Sequence, residues 1–187
     1  MKSIMAVVLI FFSSIAQSIE IEGIHLDETV ISRNGDKLVL AGAGLREKFW
    51  VDAYVGSLYL ATTSKDLAEI LSSPKACRIQ LDFIYKEVSL EELLSAWREG
   101  FIKNQSDESQ AILQDRIDQF YSYFKQSAVR GDRFILEYAP AIGTSIIKNE
   151  QQLGVIPGED FRNAMLEIWL GNYPADSSLK EDMFGLN

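Results

Sequence analysis

The stretch Arg33–Ala61, reading RNGDKLVLAGAGLREKFWVDAYVGSLYLA, restricts the fold more than any other part of the chain. Asn34-Gly35 stands between Thr29–Ser32 and Leu38–Leu40. That dipeptide suits a two-residue type I′ turn, because both central residues of such a turn need positive φ. A β-hairpin is therefore expected to open the fold. Gly42-Ala43-Gly44 is too poor in side chains to fill a strand interior, so it predicts a bulge or a close backbone approach, with Arg46 just beyond it. From Phe49 to Leu60 the chain is rich in β-branched and aromatic residues and has no proline, which predicts one long central strand.

The remainder alternates helical and strand patterns. Ser64-Lys65-Asp66 is expected to start a short helix through Leu67, Ile70 and Leu71, ended at Pro74. Ile79, Leu81, Phe83 and Tyr85 alternate with Arg78, Gln80 and Asp82, the period of a strand with one buried face that pairs beside the central strand. Ser89 and Glu92 form a capping box ahead of a stripe of Leu90, Leu93, Leu94, Trp97 and Phe101. A second helix carries Leu113, Ile117, Phe120 and Phe124, and the sheet is the apolar surface both helices need. Closely spaced turn signals make Phe134–Ile156 an antiparallel meander. The helix after Pro157-Gly158 is apolar from Phe161 to Leu170 almost all round, so it is buried on more than one side; Gly171 suits its C-terminus. Asp176–Phe184 can add a short terminal helix. The fold class is α+β, a mainly antiparallel sheet covered on one face by helices.

A chain of 187 residues fits one domain. A net charge of −9 and a pI near 4.7 argue against nucleic acid and against an anionic membrane surface as partners, since both would repel it. Met1-Lys2-Ser3, the apolar run Ile4–Phe12 and the small polar stretch Ser13–Ser18 have the three regions of a secretory signal peptide, which makes 1–18 a leader and 19–187 the domain. The apolar run is shorter than the roughly 20 residues that span a bilayer, so no membrane span is expected after cleavage, and the compartment is periplasmic or secreted. Cys77 is the single cysteine and is expected to be a buried structural thiol. His25 is the single histidine; neither a Cys–His nucleophile nor a zinc site is expected, and no cofactor.

Hairpin, Gly-x-Gly-x-Arg, an aromatic-rich strand ending Leu58-Tyr59-Leu60, then Gly143-Thr144, Asn149, Gly154-x-Ile156-Pro157-Gly158 and Met165–Pro174 follow one another in an order and spacing that resembles the chalcone isomerase-like family, in its bacterial secreted branch. The resemblance spans roughly Gly23 to Gly185. It implies an open-faced β-sandwich with a ligand pocket between sheet and helices. Arg46 falls on the family's arginine after the Gly-x-Gly. A guanidinium there can hold a carboxylate or phenolate by paired hydrogen bonds; the alternative is a solvated arginine paired with Glu47. Tyr54 falls near the position where the plant enzymes have a hydroxyl group that orders water. Tyr59, in the shared aromatic-leucine ending, is the third ligand-binding candidate, with packing as the alternative reading; each tyrosine carries a phenolic donor on an aromatic body.

The plant enzymes close a flavanone ring by adding a phenolate to an enone. They use, besides the arginine, a tyrosine, lysine and asparagine at the start of the first sheet-covering helix and a Ser or Thr in the last helix. By the resemblance those positions fall here on Ser89, Glu92, Ala96 and Ile168, none of which matches, and a glutamate in place of a lysine would repel a phenolate. The expected function is thus non-catalytic binding of a small amphiphilic or carboxylate ligand, fatty-acid-like, with Arg46 as anion anchor. The alternatives are a chalcone isomerase-type intramolecular lyase with altered site residues, and an interaction module in which a protein partner uses the sheet edge.

Overall fold

The computed structural model describes residues 18–48 and 51–186. The expected leader, apart from Ser18, and the expected strand start at Phe49 lie outside them. In chain order the elements are β1 (Ser18–Ile21), β2 (Ile24–Asp27), β3 (Thr29–Ile31), β4 (Lys37–Lys48), β5 (Val51–Leu60), α1 (Leu67–Ser72), β6 (Cys77–Phe83), β7 (Glu87–Val88), α2 (Leu90–Asn104) and α3 (Asp107–Ser122). They continue with β8 (Ala128–Val129), β9 (Arg133–Ala139), β10 (Gly143–Lys148), β11 (Gln151–Ile156), α4 (Glu159–Leu170) and α5 (Ser177–Met183). A seven-stranded sheet runs β11-β10-β9-β6-β5-β4-β3 with every neighbour antiparallel. The strand in its middle is β6, where the sequence pattern pointed to β5.

The opening hairpin forms, with a different turn. Gly35 N–H donates to the Ser32 carbonyl at 2.9 Å, Ser32 N–H donates to the Asp36 carbonyl at 2.8 Å, and the loop's positive φ falls on Gly35, at +88°. Arg33 and Asn34 make the turn, and the left-handed glycine completes a three-residue loop. Ser32 is the reason: its hydroxyl accepts from Asp36 N–H at 2.9 Å, which locks the pair that a two-residue turn would have left open.

Both readings of Gly42-Ala43-Gly44 hold together. The β4–β5 register shifts between Leu40 and Gly42, and the end of α5 lies directly on the glycines. A Cβ on Gly42 would sit 2.6 Å from the Gly185 nitrogen and closer still to the Asp182 carbonyl oxygen; one on Gly44 would sit 2.7 Å from the Asp182 carboxyl carbon. Glycine is required here for room.

Strand β6 is buried along its whole length, on both faces, which corrects the expectation of a solvated face. Arg78 lies opposite Glu137 of β9, and its Nε donates to Glu137 Oε2 at 2.8 Å. The backbone N–H of Arg33, in the hairpin loop, donates to the other carboxylate oxygen at 2.8 Å. Gln80 donates to Asp82 at 2.8 Å, and Asp82 accepts from Arg133. Alternating polar residues look like a wet face in the sequence, but opposite charges across neighbouring strands satisfy one another and allow the face to be covered.

On the other face, α4 is the centre of the helix layer, with Phe161, Met165, Leu166, Ile168, Trp169 and Leu170 all buried. Helix α2 starts with the expected capping box and packs so closely on α4 that a Cβ on Gly100 would meet Ile168. Trp97 of α2 stacks against Phe120 of α3 and Phe124 just beyond it and reaches Phe134 on β9, so one aromatic cluster ties helices to sheet. Helix α1 is capped by Asp66, two residues after the expected start.

These contacts set two stability outcomes. Arg78→Met should cost about 3–5 kcal/mol in urea unfolding, because Glu137 is left charged and buried without its partner; a loss within about 1 kcal/mol would mean that the pair is solvated. Gly44→Ala should cost about 1–3 kcal/mol by overpacking against Asp182, and a stabilisation would refute the close approach.

Candidate functional site

Where the ends of β4, β5 and β6 meet α2 and the last turn of α4, sheet and helices part around a cavity of about 620 Å³. Pockets that hold small ligands run from about 300 to 1,000 Å³. Its walls are mainly apolar, with Phe83, Leu93, Trp97, Ile168 and Pro174 among them.

A second shift in register falls between Arg46 and Glu47, and both residues line the cavity. Arg46 pairs across the sheet with Tyr54, and its guanidinium carbon lies 6.0 Å from the Tyr54 ring centroid. Among the described residues no hydrogen bond or ion pair engages Arg46, and the alternative pairing with Glu47 is not formed. The other lining cation, Lys103, donates to Glu99 at 2.5 Å. Glu92, also on the wall, accepts from Ser89 N–H at 2.9 Å within the capping box.

Tyr54 is 9% exposed and lines the cavity beside Arg46. Trp169 Nε1–H, from the last turn of α4, donates to its phenolic oxygen at 2.9 Å. Burial pushes the Tyr54 phenol up from its ordinary value, and the nearby Arg46 charge only partly opposes this. At neutral pH the group is therefore a neutral phenol with a proton to donate.

Of the three sequence candidates, Tyr59 takes the packing alternative. It lies five positions after Tyr54, an odd number, so strand alternation turns it to the opposite face. It is buried there with Leu38 and Ala76, below Arg78, and does not line the cavity. Burial pushes its phenol to about 12. The positions that the resemblance assigned to ring closure do come to the wall: Glu92, Ala96 and Ile168 line it, while Ser89 caps α2.

Two lining groups escape the sequence pattern. Trp169 reads as one more apolar residue of a buried helix, and its N–H gives no periodic signal. Glu47 reads as the outward neighbour of Arg46, because no glycine marks the second bulge. Elsewhere Cys77 is fully buried, and burial raises its thiol pKa. Among the described residues no cluster of His, Cys, Asp and Glu could hold a metal, and no helix is long and apolar enough to cross a membrane.

The cavity thus sets a guanidinium and a phenol, both donors, in a hollow between sheet and helices whose mainly apolar wall also carries Lys103 and the carboxylates of Glu47, Glu87, Glu92 and Glu99. The solved structure of a fatty-acid binding protein from Arabidopsis thaliana is similar, with a TM-score of 0.72 over 90% of this chain and 96% of that one, at 16% sequence identity. No curated protein matches the sequence. The sequence pattern of a family described as chalcone isomerase-like matches residues 17–185. The chain belongs to the chalcone isomerase-like family.

Proposed function

We propose that this protein binds a small fatty-acid-like amphiphile without transforming it, the anionic head at Arg46 and Tyr54 and the tail along the apolar wall. One observation carries the reading: a guanidinium with no hydrogen bond or ion pair among the described residues lines a cavity of about 620 Å³, on a wall that combines apolar side chains with the carboxylates of Glu47, Glu87, Glu92 and Glu99. A charge in such a place has a reason when an anion completes it, and the reduced dielectric of the hollow strengthens that pairing. Each tail methylene removed from water contributes about 0.8 kcal/mol. The similar Arabidopsis structure is that of a fatty-acid binding protein, which supports the ligand class. Binding is favoured over ring closure because Glu92, Ala96 and Ile168 bring neither a cation nor a hydroxyl to the wall. The Met1–Ser18 pattern supports export, and we place the mature protein in a periplasmic or secreted compartment.

Native mass spectrometry of protein purified from cells should show a co-purifying amphiphile that organic extraction removes. Arg46→Gln should weaken binding of a saturated fatty carboxylate by about 10- to 100-fold, as expected for a charge-assisted hydrogen bond. Binding should also fall as pH drops through the ligand's own carboxyl pKa, near about 4–5. A wild type that binds no amphiphile, or an Arg46→Gln variant of unchanged affinity, would sink the reading. For the compartment, peptide mapping of the mature protein should find its N-terminus at residue 17 or 19, and an intact Met1 on the exported protein would contradict cleavage.

A further inference from the structure

We propose that Trp169 is a positioning residue that commits the Tyr54 hydroxyl to donating into the cavity, and so selects an acceptor-only head, a deprotonated carboxylate, over a hydroxyl or amide head. This rests on the binding reading above.

Trp169 is 1% exposed, and a buried N–H without a partner is costly. An indole N–H can only donate, and the Tyr54 oxygen at 2.9 Å accepts it. A phenolic hydrogen lies near the ring plane on one of two sides. With the indole hydrogen approaching the oxygen, Tyr54's own hydrogen must point elsewhere. Among the described residues no hydrogen bond takes that hydrogen, and the open side of this buried side chain is the cavity it lines. Burial keeps the phenol protonated, so the donor persists at neutral pH.

Arg46 beside it also only donates. A carboxylate brings oxygens that accept from both groups. An alcohol or primary amide brings a hydrogen for which this pair has no acceptor; the wall's acceptors are the carboxylates of Glu47, Glu87, Glu92 and Glu99, so the pair's preference shows as a ratio of affinities and not as complete rejection. In the absence of the indole N–H, the phenol could turn its hydrogen away and accept instead. Trp169 thereby sets the polarity of a site whose contacts it need not share.

The test compares dodecanoate with 1-dodecanol by calorimetry on the wild type, Trp169→Phe, Tyr54→Phe and the double variant. Trp169→Phe should lower the carboxylate-to-alcohol affinity ratio by about 2- to 10-fold, the size of one neutral hydrogen bond. In the Tyr54→Phe background it should leave that ratio unchanged, because the group it orients is gone. Equal weakening of both ligands, or the same loss with and without the Tyr54 hydroxyl, would show a merely structural tryptophan and overturn the proposal. A wild type that binds the two ligands equally would overturn it and leave amphiphile binding standing; one that binds neither would remove both. Should Trp169→Phe fail to fold, nitrogen-correlated NMR of the wild type decides between the same outcomes. The Trp169 indole resonance should move on adding dodecanoate and stay put on adding 1-dodecanol, and equal movement with both would overturn the proposal.

Discussion

The ion pair of Arg78 and Glu137, directly across from each other on β6 and β9, is the constraint on which the architecture depends. It lets the middle of the sheet be covered on the face turned away from the helices, with the Arg33 backbone closing over the same carboxylate. Tyr59, Leu38 and Ala76 then form a second, small apolar cluster on that side. The helix layer occupies the opposite face, so β6 is dry throughout. A sheet held rigid in its middle can separate from its helices at one end without coming apart. That end is where Phe83 finishes β6 and where the cavity lies.

Much of this was legible in the sequence because the signals are local. The capping box of Ser89 and Glu92 lies within a single helical turn, and the glycines of β4 carry their meaning in their own lack of side chains. The unrelieved apolar character of Phe161–Leu170 needs no partner to be read as a buried helix. What the sequence hid depends on which strand lies beside which. Arg78, Gln80 and Asp82 look solvated until Glu137 and Arg133 are known to lie opposite them. Tyr54 and Tyr59 look equivalent until strand alternation is applied from a fixed starting face. The register of β4 against β5 also shifts at Arg46–Glu47, where no glycine signals a bulge.

The site itself inherits this mixture. Arg46 was recognisable from its place after Gly42 and Gly44, whereas Trp169, which donates to Tyr54, sits 115 positions away from it in sequence and meets it only when α4 folds over the sheet. The donors Arg46 and Tyr54 share a wall with apolar side chains and with the carboxylates of Glu47, Glu87, Glu92 and Glu99. Trp97, Leu93 and Ile168 line the cavity and also hold the helix layer together. The lining of the hollow and the stability of the fold are thus served by the same side chains.

The seat of α5 on β4 has a temporal meaning. The strand that carries Arg46 receives its cover from Asp182–Gly185, and Lys65 fastens the same segment by donating to the Gly185 carbonyl at 2.9 Å. Those residues are synthesised long after the strand they cover, so β4 waits bare while everything between them is made. The seat of β4 is therefore complete only when the last residues of the domain fold back onto it.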